Sequence, residues 1–135
     1  MDLIVRKYED KDYEIVNQIL NNNFSHGMVD SEIPSNVERY VCDSSDGVVG
    51  FFVLTKMRNI IRGFDYYIVD YVCSSVHGKG IGSFMTEYLC DKCDNEDVKY
   101  IQLSSSRGRE EARRLYQKYG FEIRNSDIFR RYKKW

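Results

Sequence analysis

The stretch VHGKGIGSF at residues 76–84 has three glycines at alternate positions, together with a lysine and a serine. It lies between a run of strand-forming residues and an apolar pattern typical of a helix. One or two glycines would suit a tight turn, whereas three in five positions indicate that the backbone comes close to another molecule. Backbone N–H groups that converge at a helix N-terminus favour phosphate groups. The stretch therefore predicts a pyrophosphate site.

Two common nucleotide-binding motifs do not fit this loop. A P-loop needs Gly-Lys followed by Ser or Thr, and a dinucleotide fingerprint needs G-x-G-x-x-G. The glycines here are Gly78, Gly80 and Gly82, and Ser83 stands where the last glycine of the fingerprint would fall. A plain turn before a helix explains one glycine well and three poorly, so anion binding is the preferred interpretation.

Two motifs in this order are characteristic of a known superfamily. VHGKGIGSFM resembles motif A of the GNAT superfamily of acetyl-CoA-dependent N-acetyltransferases, whose pattern is Arg/Gln-x-x-Gly-x-Gly/Ala. Further along, REEARRLYQKYGF resembles motif B, which reads roughly A-x-x-[FL]-Y-x-x-x-G-[FY]. His77 stands where Arg or Gln is usual, and Arg109 stands where many members have Asn, a version similar to small-amine members. With the N-terminal strand and helix, the resemblance covers nearly the whole chain.

The resemblance implies where acetyl-CoA, the acyl donor, would bind. In this superfamily the fourth and fifth strands splay apart, and the pantetheine arm pairs with the exposed edge of the fourth strand as a ligand strand. That edge corresponds here to Val72, Cys73 and Ser74. The pyrophosphate would then lie on the loop residues His77, Gly78, Lys79, Gly80, Ile81, Gly82 and Ser83.

Two residues are the candidates for catalysis. Asp70 is an acid within an otherwise apolar and aromatic strand, on one face with Tyr66, Ile68 and Val72 by the period of two. Its burial would make it a better proton acceptor for the amine, although an Asp that only bonds a neighbouring group is an equal alternative. The resemblance assigns Tyr116, the motif B tyrosine, as the general acid for the departing thiolate.

A backbone N–H near Tyr71 or Val72 could stabilise the developing oxyanion. The expected activity is N-acetyl transfer to a primary amine by direct attack in a ternary complex. The alternative is a non-catalytic acyl-CoA-binding or regulatory domain on the same fold.

The acceptor is expected to be a small-molecule amine, with a protein amine also open. The polar loop FSHGMVDSEIPSN would border its site, where Asp30 and Glu32 could attract a cation and His26 could relay a proton. These residues could equally be a solvated loop. The basic C-terminal stretch FRRYKKW could contact an anion or protect a sheet edge, and the sequence does not decide between these roles.

The order of strand and helix patterns predicts an α/β (α+β) fold. The sequence favours one GNAT-like domain over 1–135, with a mixed sheet of six to seven strands, helices on both faces and a splay between the fourth and fifth strands. Asp46-Gly47 predicts a hairpin, and two short strands are expected around Asn125-Ser126-Asp127.

Composition indicates which kinds of partner and which cellular compartment to expect. Twenty basic and 21 acidic residues leave a net charge of −1, which gives no reason to expect nucleic acid or a membrane surface as a partner. No long apolar segment suggests a signal peptide or a membrane span, so a cytoplasmic protein is expected, as a monomer or homodimer. Cys90 and Cys93 lack a second ligand pair, so we expect reduced thiols and no metal.

Overall fold

A computed structural model describes residues 2–24, 27–105 and 107–134. A short 3-10 turn, Asp10–Asp12, leads into the first helix. The elements run in the order β1 (Ile4–Lys7), α1 (Tyr13–Asn23), β2 (Val37–Ser44), β3 (Gly47–Asn59), β4 (Phe64–Ser74), α2 (Ile81–Asn95), β5 (Ile101–Leu103) and α3 (Glu110–Lys118).

The five strands form one mixed sheet in the order β1-β2-β3-β4-β5. β1 to β4 are antiparallel neighbours. The predicted hairpin is confirmed, and it turns at Ser45 and Asp46, directly before Gly47. β5 is parallel to β4, because α2 carries the chain back across the sheet between them. The mixed sheet and the parallel pair on either side of α2 are both confirmed.

The two faces of the sheet each carry a helix. On one face α1 buries apolar side chains against the middle strands: Val16, Ile19 and Leu20 pack with Val41, Phe51 and Cys73. On the other face α2 does the same with a different set: Ile81, Met85 and Leu89 pack with Tyr40, Phe52, Leu54, Tyr67 and Val69. The prediction of helices on both faces is therefore confirmed.

The predicted number of strands is wrong. In the described part of the chain the sheet has five strands rather than six to seven, because residues 121–134 form no strand. Of this segment, residues 122–134 are exposed throughout, and Ile128 and Phe129 are 79% and 94% exposed. A hairpin without a face to pack against is marginal in water, so apolar side chains alone do not fix strands here.

Candidate active site

β4 and β5 separate after three residue pairs. Tyr67, Ile68 and Val69 pair with Ile101, Gln102 and Leu103. β4 continues to Ser74, so its last five residues, 70–74, have no ladder partner on the β5 side. This opening corresponds to the splay that the sequence led us to expect, and it leaves a strand edge free for a ligand.

A β-bulge interrupts β4 at the start of this opening. Phe51 pairs with Cys73 and Val53 pairs with Asp70, so Tyr71 and Val72 together oppose one residue of β3. Tyr71 has a φ of 58°, a left-handed conformation that is uncommon for a residue with a side chain. Bulges bend a strand and redirect its side chains, and here the bulge lies where the two parallel strands separate.

The bulge changes the face on which β4 presents its side chains. Before it Tyr67 and Val69 point toward α2, whereas after it Val72 packs on that side and Cys73 packs toward α1. Asp70 therefore does not share a face with Val72, and that part of the prediction is wrong. Asp70 is also exposed, so the burial expected for it is wrong as well.

The opening contains a pocket of about 80 Å³ that brings the two catalytic candidates together. β4 contributes Asp70 and α3 contributes Tyr116. Its remaining lining comes from both parallel strands, the end of α1 and the start of α3: Phe24, Val69, Tyr71, Val72, Leu103, Ser104, Ser105 and Arg109. An acid and a phenol on one pocket can serve proton transfer at two ends of a reacting group.

The environment of Tyr116 keeps its hydroxyl protonated. Burial raises the pKa of Tyr116, and the positive charge of Arg109 lowers it by a smaller amount. The ring lies 5.6 Å from the Phe121 ring, centroid to centroid, which holds it at the end of α3. A phenol with a raised pKa carries its proton across the neutral range and can donate it.

The loop before α2 presents free backbone amides. Gly78 and Gly80 have φ values of 73° and 78°, and a Cβ at either position would meet nothing within 4 Å. Within the described chain, none of the N–H groups of residues 77–83 donates a hydrogen bond, and the first helical bond runs from Phe84 N–H to Gly80 C=O. These amides lie at the positive end of the α2 dipole, which suits a phosphate.

The side chains of this loop are placed differently from its amides. His77 and Lys79 are exposed, while Ile81 is buried in the core against the sheet. Gly82 lies in the first turn of α2, where a Cβ would be 3.4 Å from Leu115 Cδ2. The loop therefore offers its backbone, with Lys79 as the cation best placed to meet a phosphate.

Cys73 and Ser74 contribute backbone rather than side chains to the opening. Burial raises the pKa of the Cys73 thiol to about 12, and Arg109 lowers it slightly. Such a thiol stays protonated and is a poor nucleophile. The Ser74 hydroxyl donates to the Val76 carbonyl at 2.8 Å, and its carbonyl accepts from Asn23 Nδ2 at 2.9 Å. All four cysteines are free.

Several pocket residues were not singled out from the sequence as part of the site. Ser104 and Ser105 follow the carboxyl end of β5, and Phe24 ends α1 and meets the Tyr71 ring at 5.3 Å. Arg109 was noted only as a departure from motif B. Serines at the carboxyl end of a parallel strand were a readable signal, because such ends line ligand sites in α/β sheets.

Of the polar loop, Phe24 lines this pocket, whereas the candidate residues Asp30 and Glu32 do not. Asp30 and Glu32 are exposed, and Asp30 Oδ1 accepts the Glu32 backbone N–H at 3.0 Å in a local turn. His26 lies outside the described residues.

Across the described ranges, no group of three or more His, Cys, Asp or Glu side chains is arranged to hold a metal ion. In the same ranges no helix has the length and apolar character to cross a bilayer.

Comparison with known proteins decides the family. The model of the acetyltransferase (GNAT) family matches residues 5–121, most of the chain. The chain belongs to the GNAT family. The match includes β2 to β5, the glycine loop and α3, and begins at the second residue of β1, so every element that forms the pocket lies inside it. No curated protein matches the sequence significantly.

Solved GNAT-like structures share the whole architecture at low identity. A transcriptional regulator from Bacillus halodurans superposes with a TM-score of 0.81 at 17% identity, covering 97% of this chain and 100% of that one. Ribosomal-protein-alanine N-acetyltransferase from Brucella melitensis gives 0.78 at 17%, covering 98% and 100%. A predicted acetyltransferase from Clostridium acetobutylicum, solved with acetyl-CoA, gives 0.69 at 13%, covering 96% of each chain. These likenesses establish the fold.

The GNAT family uses acetyl-CoA, and the residues of this chain fit that ligand. The free β4 edge can pair with the amides of a pantetheine arm, and the loop amides can hold a pyrophosphate. Gly78 and Gly80 keep the approach to those amides open, because no side chain stands over them.

Proposed function

We propose that this GNAT protein is an N-acetyltransferase that moves the acetyl group of acetyl-CoA directly to a small-molecule amine in a ternary complex. The observation that supports this most strongly is the meeting of Asp70 and Tyr116 on one pocket, at the point where β4 and β5 separate. The pocket has room for the reacting atoms and opens to solvent beside Asp70.

The proposed donor site has two parts. The edge of β4 at Val72, Cys73 and Ser74 binds the pantetheine arm, and the amides from His77 to Ser83 bind the pyrophosphate. Acetyl-CoA supplies the acetyl group as a thioester. The backbone at Tyr71 and Val72 has no regular pairing with β3, and in this proposal one of its N–H groups stabilises negative charge on the carbonyl oxygen.

The proton steps follow from the two side chains. An acceptor amine is mostly protonated at neutral pH, so its proton must leave before the nitrogen can attack. Asp70 accepts that proton directly or through water, because it faces solvent at the pocket. As the C–N bond forms and the C–S bond breaks, the attacking nitrogen loses its second proton to water and the Tyr116 hydroxyl gives its proton to the sulfur. A proton from solvent then restores the phenol.

The choice of an amine rests on two supports. One is the pairing of a base and an acid, which an amine acceptor and a thiolate leaving group both require. The other is the structural neighbour named ribosomal-protein-alanine N-acetyltransferase, an enzyme that acetylates an amine. A buried, protonated Cys73 favours direct attack over an acetyl-cysteine intermediate.

The test is thiol release from acetyl-CoA with a panel of amines, using the native protein and Tyr116→Phe. We expect amine-dependent release by the native protein and a kcat about 100-fold lower in Tyr116→Phe, because the general acid is missing. Acetyl-CoA affinity, measured by calorimetry, should stay unchanged. Tyr119→Phe is the matched control, since Tyr119 caps the same helix outside the pocket.

A non-catalytic acyl-CoA-binding or regulatory domain is the second candidate. The neighbour from Bacillus halodurans, which is named a transcriptional regulator, favours it, because that protein shares the fold over nearly the whole chain. The same experiment separates the two. Acetyl-CoA uptake without thiol release, in the native protein and both variants, would contradict the enzyme and support the binding domain.

A further inference from the structure

The pocket has one negatively charged and one positively charged side chain that do not form an ion pair with each other. Asp70 and Arg109 both line it, and both are exposed. No ion pair joins them, and neither side chain has a hydrogen bond or ion pair with any other residue of the described ranges. The charges of Asp70 and Arg109 are therefore not neutralised by other side chains of the described residues, and one ligand in the pocket could contact both.

Arg109 acts electrostatically on the inner part of this pocket. Its charge opposes the effect of burial on the pKa of two groups that belong to different elements, the Tyr116 hydroxyl on α3 and the Cys73 thiol on β4. A guanidinium that influences both groups lies near the opening between the strands rather than out in bulk solvent. Arg114, which follows on the exposed side of the same helix, does not line the pocket.

A third polar group in the pocket has no partner. Among the described residues, Ser105 Oγ is the buried side-chain oxygen or nitrogen that makes no hydrogen bond. Ser105 lines the same pocket and comes four residues before Arg109 in the sequence. Buried hydroxyls are nearly always hydrogen-bonded, so an unpaired one that lines the same pocket as an unpaired guanidinium points to a ligand with acceptor oxygens.

We propose that the acceptor is an amine carrying an anionic group on the same molecule, with its ammonium at Asp70 and its anion at Arg109. Such a zwitterion satisfies both free charges at once, whereas a simple alkylamine or polyamine leaves Arg109 without a counter-charge. Carboxylates and phosphonates both suit a guanidinium, which donates two parallel hydrogen bonds. This inference rests on the proposed function and narrows its substrate class.

The test uses amine pairs that differ only in the anion. β-Alanine is compared with β-alaninamide, and 3-aminopropylphosphonate with propylamine, by thiol release from acetyl-CoA. We expect the native protein to prefer the anionic member of each pair by about 10-fold or more in kcat/KM, since hydrogen bonds to charged groups are the stronger ones. In Arg109→Gln the preference should disappear through a higher KM, and Arg114→Gln should behave as native.

Two results would overturn the proposal. One is equal turnover of both members of each pair by the native protein. The other is an Arg109→Gln protein that keeps the preference but binds acetyl-CoA more weakly, which would assign Arg109 to the donor.

Calorimetry of β-alanine binding to the complex of the protein with coenzyme A distinguishes a failure of this proposal from a failure of the proposed function. Binding that Arg109→Gln abolishes, without turnover of any amine, would retain the zwitterion site and reject the transferase. No binding and no turnover would reject both.

Discussion

The three glycines of the loop between β4 and α2 do not all serve the same purpose. Gly78 and Gly80 adopt left-handed backbone conformations with open space where a Cβ would stand. Gly82 has an ordinary helical backbone and lies against Leu115. The sequence indicated a special loop, yet residue types alone could not separate glycines needed for their φ from one that allows two helices to approach.

Replacing Gly80 by alanine tests this distinction. A side chain at a φ of 78° is strained, so Gly80→Ala should lower the free energy of unfolding by about 1 kcal/mol. The shifted amides should also weaken acetyl-CoA binding. Gly82→Ala is the control, because its Cβ makes an ordinary contact at 3.4 Å and it should change stability by less than about 0.5 kcal/mol. Urea unfolding and calorimetry measure the two effects, and equal losses in both variants would contradict the assignment.

Asp70 and Tyr116 show which features of a site can be predicted from residue types and which cannot. Their types, and for Tyr116 the motif B resemblance, were enough to predict them as a pair, and the structure places both on one pocket. The face and burial of Asp70 were predicted wrongly, because the period of two assumes a regular strand. A bulge at Tyr71 has no distinctive signature here, since tyrosine is an unusual residue for a left-handed conformation.

At the scale of elements, a partly buried ion pair holds the start of α1 against the sheet. Arg6 on β1 donates two hydrogen bonds of 2.9 Å to the Asp12 carboxylate and a third, of 3.0 Å, to Asp43 on β2. The Glu9 N–H also donates to Asp12 at 2.9 Å. Asp12 is 3% exposed, and through Arg6 it connects the turn before α1 to β1 and β2.

Asp12→Asn should destabilise the fold in a pH-dependent way. The Arg6 hydrogen bonds hold the pKa of Asp12 below its ordinary value. A lowered pKa means that the stabilisation is fully present above the ordinary carboxyl pKa and is lost as the pH falls through the lowered folded value. We expect a loss of about 2 kcal/mol at pH 7 that shrinks toward acid pH, measured by urea unfolding across pH.

The exposed Asp10 in the same turn provides the control. Asp10→Asn should change the free energy of unfolding by less than about 0.5 kcal/mol at any pH. If the Asp12→Asn deficit stayed constant between neutral pH and pH 3, the ion pair would not be its source, and loss of side-chain packing would explain it instead.

At the scale of the whole molecule, the order of strands and helices was readable because each element has its own period. Runs of β-branched and aromatic residues in β2 to β4 and the apolar spacing of α2 gave the mixed sheet and its two covered faces. The same reasoning failed at the C-terminus. Ile123, Ile128 and Phe129 are apolar residues of strand type, but a strand also needs a partner edge and a face to bury, which are properties of the surrounding fold.

Removing every residue after Phe121 tests how little this segment contributes to the fold. Residues 122–134 are exposed, and the Arg107–Asp127 pair at 3.5 Å is solvated on both sides and contributes little. Phe121 is kept because its ring packs on Tyr116. We expect the free energy of unfolding to change by less than about 1 kcal/mol in urea melts monitored by circular dichroism. A loss of several kcal/mol, or a change in sedimentation that accompanies it, would show that the segment pairs with a sheet edge of its own chain or of a second copy.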